Sequence, residues 1–171
     1  MRKPRFRLIA LTRAAVVAAL YVGLTLLFAD ISFGPIQFRI SECLTVLPFF
    51  FPETIFGLFI GCLVSNFLTP FIPVLDICLG TLATLIAAIL TWKTKHKWLA
   101  PLPPVLSNAL IVPLIFYFTD PGAGFWAIYP VGAATVGLGE LVVCYGLGIP
   151  LLYAIEKLPV FHVSSKKENR S

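Results

Sequence analysis

The sequence predicts an all-α, polytopic membrane protein: one domain of six transmembrane helices. Three observations predict it. Of 171 residues, 58% are hydrophobic and only 12% are charged, against roughly 45–50% and 25% in soluble domains. Mean hydropathy is +0.93. A soluble fold of this size has too little interior to hide so much apolar surface, and disorder is excluded by the same composition. A spanning helix takes roughly 20 residues, so the length holds about six spans with short loops and leaves no room for a soluble catalytic domain. Third, twelve of the 13 basic residues fall on one side of the membrane once six spans are drawn.

The first element follows a basic start, Arg2, Lys3, Arg5 and Arg7, and runs from Leu8 to Phe28 with Arg13 as its one charge. It is too long for a signal peptide, and no A-x-A site precedes Asp30, so it is expected to be a span. Asp30 to Phe38 contains Gly34 and Pro35 and is expected to be a loop. Arg39 to Phe51 is a short second span, closed by a turn at Pro52 and Glu53. Thr54 to Leu68 is the third, and Pro70 and Pro73 bracket the next turn. Val74 to Trp92 is the fourth span, followed by the polar loop KTKHK, Lys93 to Lys97. Leu102 to Phe118, with its proline-rich entry, is the fifth. Thr119 to Pro130 is expected to be a loop, Val131 to Ile155 the sixth span, and 156–171 a polar tail.

Placing the N-terminus in the cytoplasm puts both termini and KTKHK inside and leaves Arg39 as the basic residue outside. That asymmetry is the positive-inside pattern, and it favours an even number of spans. Trp92 and Trp98 flank the inner loop as interfacial aromatics do. The net charge of +5 therefore reports membrane orientation rather than nucleic acid.

Ionisable groups inside spans are costly and are functional candidates by default. Arg39, Glu42, Asn66 and Asp76 fall near the outer ends of spans, and Asn108 near the middle of the fifth. Glu140, nine residues beyond Val131, lies roughly 13 Å deep at 1.5 Å per residue. Structural roles compete for each. Arg39 and Glu42, three apart, suit a pair on one helix face. Asp76 suits a helix N-terminus. The two asparagines suit hydrogen bonding between helices. Glu140 has the least structural excuse. Together with Gln37, Phe38, Trp126 and Tyr129 these residues describe aromatic walls with a few directed polar groups, the make-up of a small-molecule pocket.

Ala15, Ala19 and Gly23 repeat every four residues on the first span, with Ala14 and Ala18 alongside; Gly57, Gly61 and Ser65 do the same on the third. Such stripes permit close helix contact, either within the chain or against another membrane subunit. There is no G-x-x-x-x-G-K-[ST], no H-E-x-x-H and no G-x-S-x-G. The histidines, His96 and His162, lie outside the spans, and no metal site is expected. Cys43, Cys62, Cys78 and Cys144 form no C-x-x-C pair and sit in apolar stretches, as small packing residues do.

Several blocks carry a resemblance. They are IQFRISECLTVLPFF (Ile36 to Phe50), FPETIFGLFIGCLVSNFL (Phe51 to Leu68), DICLGTLATLIAA (Asp76 to Ala88), LPPVLSNALIV (Leu102 to Val112) and VGLGELVVCYGLGIPLL (Val136 to Leu152). Together they resemble the QueT family, S-components of energy-coupling factor (ECF) transporters. The resemblance implies a six-helix S-component in the cell membrane with a pocket opening outward. It implies a membrane coupling subunit (T) and two cytoplasmic ATPase subunits as partners; ATP is used by those ATPases, and this chain holds no cofactor of its own. It implies a queuosine precursor as substrate, a 7-deazaguanine base such as queuine or its 7-cyano or 7-aminomethyl relatives. The family's A-x-x-x-A docking face maps onto Ala14/Ala18 or Ala15/Ala19. The residues agree with that substrate: a guanine-like edge offers two parallel donors to one carboxylate, its carbonyl takes a donor such as Arg39, Asn66 or Asn108, and a cationic aminomethyl arm takes a second carboxylate. Glu42, Asp76 and Glu140 supply acids for both, without deciding which does which.

Three other readings remain at this stage: an S-component for another vitamin-like molecule such as a flavin or pterin, a small integral-membrane enzyme using Glu140 and Asp76 as acid and base, and a structural or channel subunit. The enzyme lacks a recognisable nucleophile or metal set.

Overall fold

The computed structural model describes residues 4–32, 38–69, 74–120, 122 and 124–157, with side chains from residue 8 onward. Among these there is helix and no strand. Helix α1 is Pro4–Leu27, followed by a single turn, Ala29–Ser32. Ile40–Phe49 is a 3-10 helix. Then come α2, Thr54–Leu68; α3, Asp76–Lys93; α4, Leu102–Thr119; and α5, Phe125–Glu156. The first turn of α3, Asp76–Gly80, and a mid-helix stretch of α5, Cys144–Gly148, are π-helical.

Four elements among the described residues are long and apolar enough to cross a membrane: Leu8–Leu27, Asp76–Lys93, Lys97–Thr119 and Phe125–Glu156. The 3-10 helix and α2 are apolar but shorter. The outward faces are apolar: Phe67 is 75% exposed and Leu138 62%. On a soluble protein such a continuous apolar surface marks an aggregation site; with this hydropathy it is the lipid-facing surface of a polytopic membrane protein.

The 3-10 helix is the axis of the bundle. Its ten residues rise about 20 Å at the 3-10 pitch against about 15 Å at the α pitch, so a short segment reaches further. Among apolar helices, backbone that departs from the α form is tolerated where protein surrounds it. Here Ser41 to Pro48 are all buried, against α1, α3 and α5. The Thr45 hydroxyl donates to the Glu42 carbonyl three residues back, at 2.5 Å, which supports the tighter winding locally. Gly148 in the π stretch of α5 makes this packing possible, since a Cβ there would sit 2.8 Å from Val46 Cγ1.

Against α1, α2 packs at backbone contact. A Cβ on Gly57 would lie 2.3 Å from the Ala14 carbonyl oxygen, and one on Gly61 3.0 Å from that of Ala18. The buried face of α1 runs on through Val17, Tyr21 and Thr25, at the three- and four-residue spacing of one helix face.

Ion pairs collect at one end of the bundle. Arg13 meets Glu53 at 2.9 Å and caps the Phe51 ring at 4.3 Å. Lys97 meets Glu156 at 2.5 Å, beside Trp98 edge-on to Tyr153. At this half-exposed end each pair contributes about 0–1 kcal/mol.

Two expectations are corrected. The segment 119–130 is not a loop throughout: α5 begins at Phe125, capped by Gly124 at φ 78°, so Trp126, Tyr129 and Pro130 are helical. The apolar run FWAIY extends the helical face of the sixth element, and Pro130 removes a single backbone donor near the helix start. The second element is 3-10 rather than α.

Candidate functional site

Six polar residues that the sequence scatters over five elements lie in the interior: Arg39, Glu42, Asn66, Asp76, Asn108 and Glu140 are all buried, Asp76 the most exposed at 6%. Each element has a reason to deliver its residue. Arg39 and Glu42 enter on the buried 3-10 helix. Asn66 comes from the last turn of α2 and Asp76 from the π-helical first turn of α3. Asn108 is on α4. Glu140, sixteenth of the 32 residues of α5, sits at the helix midpoint, about 22 Å from its start, deeper than a start at Val131 implied.

Two corners meet in this cluster. In the first, Arg39 Nη2 donates to Asn66 Oδ1 at 2.6 Å, and Asn66 Nδ2 donates to the Asp76 carbonyl at 3.2 Å. Gly80 lies against all three: a Cβ there would be 2.7 Å from Asp76 Oδ1, 3.3 Å from Asn66 Nδ2 and 3.6 Å from Arg39 Nη1. The π winding and the missing side chain together hold the Asp76 carboxylate beside the guanidinium.

In the second corner Glu42 Oε1 accepts from the Tyr21 hydroxyl and from Thr84 Oγ1, the latter at 2.8 Å. Cys144 Sγ lies 3.3 Å from Glu140 Oε2 and 3.6 Å from the Glu42 carbonyl, tying α5 to the 3-10 helix. The Asn108 carboxamide lies against Glu140. Glu42 Oε2 and Glu140 Oε1 are buried and have no hydrogen bond of normal length. Leaving such groups without partners costs on the order of 1–3 kcal/mol each, which a purely structural cluster has no reason to bear.

Other expected residues fall elsewhere. Trp126 is 81% exposed on α5. Tyr129 stacks on Phe125 at 4.8 Å and donates to the Leu110 carbonyl at 3.0 Å. Neither walls the polar cluster, because both stand on the outer turns of a helix that starts earlier than expected. Phe38 packs on the apolar core with Val17 and Leu44. Gln37 lies outside the described residues. Of the small-residue positions, Ala14 and Ala18 turn inward against Gly57 and Gly61, so their expected docking role gives way to internal packing. Ala15, Ala19 and Gly23 face outward.

Sequence reasoning missed Tyr21, Thr84, Cys144 and Gly80. Tyr21 had a signal: it continues the spacing of Ala14 and Ala18 onto the buried face of α1. Thr84 and Gly80 are single small residues in an apolar helix and gave none. Among the described residues no cluster of His, Cys, Asp and Glu is fit for a metal ion.

A family model described as QueT transporter matches residues 11–157. A curated relative, the "Queuosine precursor transporter QueT" of Lactococcus lactis subsp. cremoris (strain MG1363), is 47% identical over 74 residues, which is 42% of this chain and 43% of the relative. The matched part thus spans less than half of that relative. No solved structure matches the chain.

Proposed function

The chain belongs to the QueT transporter family, and we propose that it is the substrate-capturing S-component of an energy-coupling factor importer for a queuosine precursor. The family is one of transporters, not enzymes. The observation that carries the reading is the enclosed cluster of three carboxylates, one guanidinium and two carboxamides inside an otherwise apolar bundle, with hydrogen-bonding atoms left unused. A 7-deazaguanine base offers the complementary set: two parallel donors for a carboxylate, a carbonyl for Asn108, Asn66 or Arg39, and a ring for Tyr21. The relative's name points to the same substrate class.

Six crossings complete the reading, with the 3-10 helix and α2 as the short ones and both termini in the cytoplasm beside the ion-paired, lysine-bearing end. The sequence has no P-loop, so ATP is hydrolysed by two partner ATPases reached through a membrane coupling subunit. The outward stripe Ala15, Ala19 and Gly23 is the docking face for that subunit.

Titration calorimetry of the purified chain tests the reading. Binding of 7-deazaguanine bases at micromolar or better affinity, with flavin and pterin silent, is the expected result. Saturable binding of a flavin or pterin in their place reassigns the substrate, and no binding of any of them removes the capture role. Ala19→Leu is expected to abolish co-purification with the coupling subunit while leaving ligand affinity unchanged.

A further inference from the structure

A groove beside the first half of α1 lies apart from the polar cluster. Its volume is about 430 Å³, within the roughly 300–1,000 Å³ of small-ligand pockets. One wall is α1, with Ile9, Val16 and Val17; the other is the end of the 3-10 helix, with Leu47 and the adjoining Phe51. Ile9 is 44% exposed and Val16 51%, so the described chain leaves this wall open. Along α1 the groove runs from Leu8 to Val17, about 14 Å at the α rise. That is close to half of the roughly 30 Å hydrocarbon core, the depth of one leaflet. Arg13 enters the same groove. Side chains on a helix lean toward its N-terminus, so the guanidinium reaches back to the ion-paired end. There it lies over the Phe51 ring at 4.3 Å, and Nη1 donates to Glu53 Oε1 at 2.9 Å. A guanidinium carries five N–H donors, and the side chain is 36% exposed. The flanking sequence is basic throughout: Arg2, Lys3, Arg5, Arg7 and Arg13 all precede the first acid, Asp30.

We propose that this groove binds one acidic phospholipid from the leaflet at the ion-paired end, its acyl chain along Val16, Val17 and Leu47 and its phosphate on Arg13 at the mouth. Zwitterionic lipids carry the same chains, so apolar fit does not choose between headgroups; charge does. A planar guanidinium presents paired N–H groups that match phosphate oxygens, and each basic residue near the membrane surface favours an anionic headgroup. Glu53 is one acid against the five basic residues that open the sequence, so it positions Arg13 without cancelling the excess. A protein segment gains little by entering the groove, because lipid tails are as apolar as the side chains it would bring.

The test reconstitutes the full-length chain into vesicles of equal parts phosphatidylglycerol and phosphatidylcholine, extracts it in mild detergent and weighs it intact by native mass spectrometry. A single phosphatidylglycerol is expected to stay bound to each chain, in roughly tenfold preference over phosphatidylcholine. Val16→Trp fills the groove from an exposed position, and Arg13→Gln removes the cation; each is expected to bring the ratio near one. Leu138→Trp, on an exposed apolar position that does not line the groove, is expected to keep the wild-type ratio. Circular dichroism checks each fold, and if Arg13→Gln does not fold, Val16→Trp decides. Equal retention of the two lipids, or retention of neither, overturns the proposal. A preference unchanged in folded Val16→Trp also overturns it, by placing the headgroup on other basic residues such as Lys93 and Lys95. Displacement of the lipid by millimolar inorganic phosphate overturns it in favour of a free-anion site.

Discussion

Gly80 and Tyr21 set the geometry of the cluster without being polar partners of obvious rank. At Gly80 a methyl group would lie 2.7 Å from Asp76 Oδ1, so Gly80→Ala must push the carboxylate away from Arg39. Ligand affinity is expected to fall at least tenfold, about 1.4 kcal/mol, with the helical circular dichroism spectrum unchanged; calorimetry at wild-type affinity would place this corner away from the ligand. Tyr21→Phe removes one of two hydroxyls on Glu42 Oε1. A hydrogen bond to a carboxylate contributes about 1.5–3 kcal/mol, which for a chain of this size lowers the melting temperature of the ligand-free protein by roughly 2–4 °C per kcal/mol.

Among the elements, the two faces of α1 serve different contacts. The inner face, Ala14, Ala18 and Tyr21, is closed by Gly57 and Gly61 at backbone distance. Gly57→Leu places a side chain where only a backbone carbonyl now fits, and overpacking of this sort costs about 1–3 kcal/mol or more. Its thermal unfolding in detergent is expected to shift down by several degrees, whereas Ala19→Leu on the outer face leaves the melting temperature within a degree of wild type. Equal losses in the two variants would mean that α1 has no free face. The small-residue stripe of α2 makes close contact through Gly57 and Gly61, but on α1 the contact falls on Ala14 and Ala18 while Ala15, Ala19 and Gly23 face outward; the sequence does not say which of two adjacent alanine rows faces inward. A row displaced by one residue turns about 100° around the helix, and only the neighbour decides which side is buried.

For the whole molecule, the distribution of charge is the readable quantity. Arg13, Lys93, Lys95, Lys97 and Lys157 belong to one end of the bundle, where Arg13–Glu53 and Lys97–Glu156 pair, and the buried Arg39 lies apart from them. On a background from which Cys43, Cys62, Cys78 and Cys144 have been removed, Lys95→Cys is expected to resist membrane-impermeant thiol reagents in intact cells, while Trp126→Cys, at an 81% exposed position, is labelled. Labelling of Lys95→Cys from outside would invert or break the six-crossing topology.

The sequence by itself determined the class of molecule and its candidate polar set. Transfer of side chains into lipid is close to additive along a chain, so hydropathy and the basic asymmetry show a helical membrane protein before any contact is known. Buried charge is expensive wherever it occurs, so Arg39, Glu42, Asp76 and Glu140 stood out one by one. The tertiary structure alone decided their company. It brought Tyr21, Glu42, Thr84 and Glu140 together from separate elements, and it paired Arg39 with Asn66 and Asp76. It moved Trp126 and Tyr129 to the outer turns and wound ten residues as a 3-10 helix. Each of those outcomes depends on which surfaces pack against which across long separations in sequence. Local composition cannot specify that: a 3-10 helix at membrane depth is tolerable only once other helices enclose it.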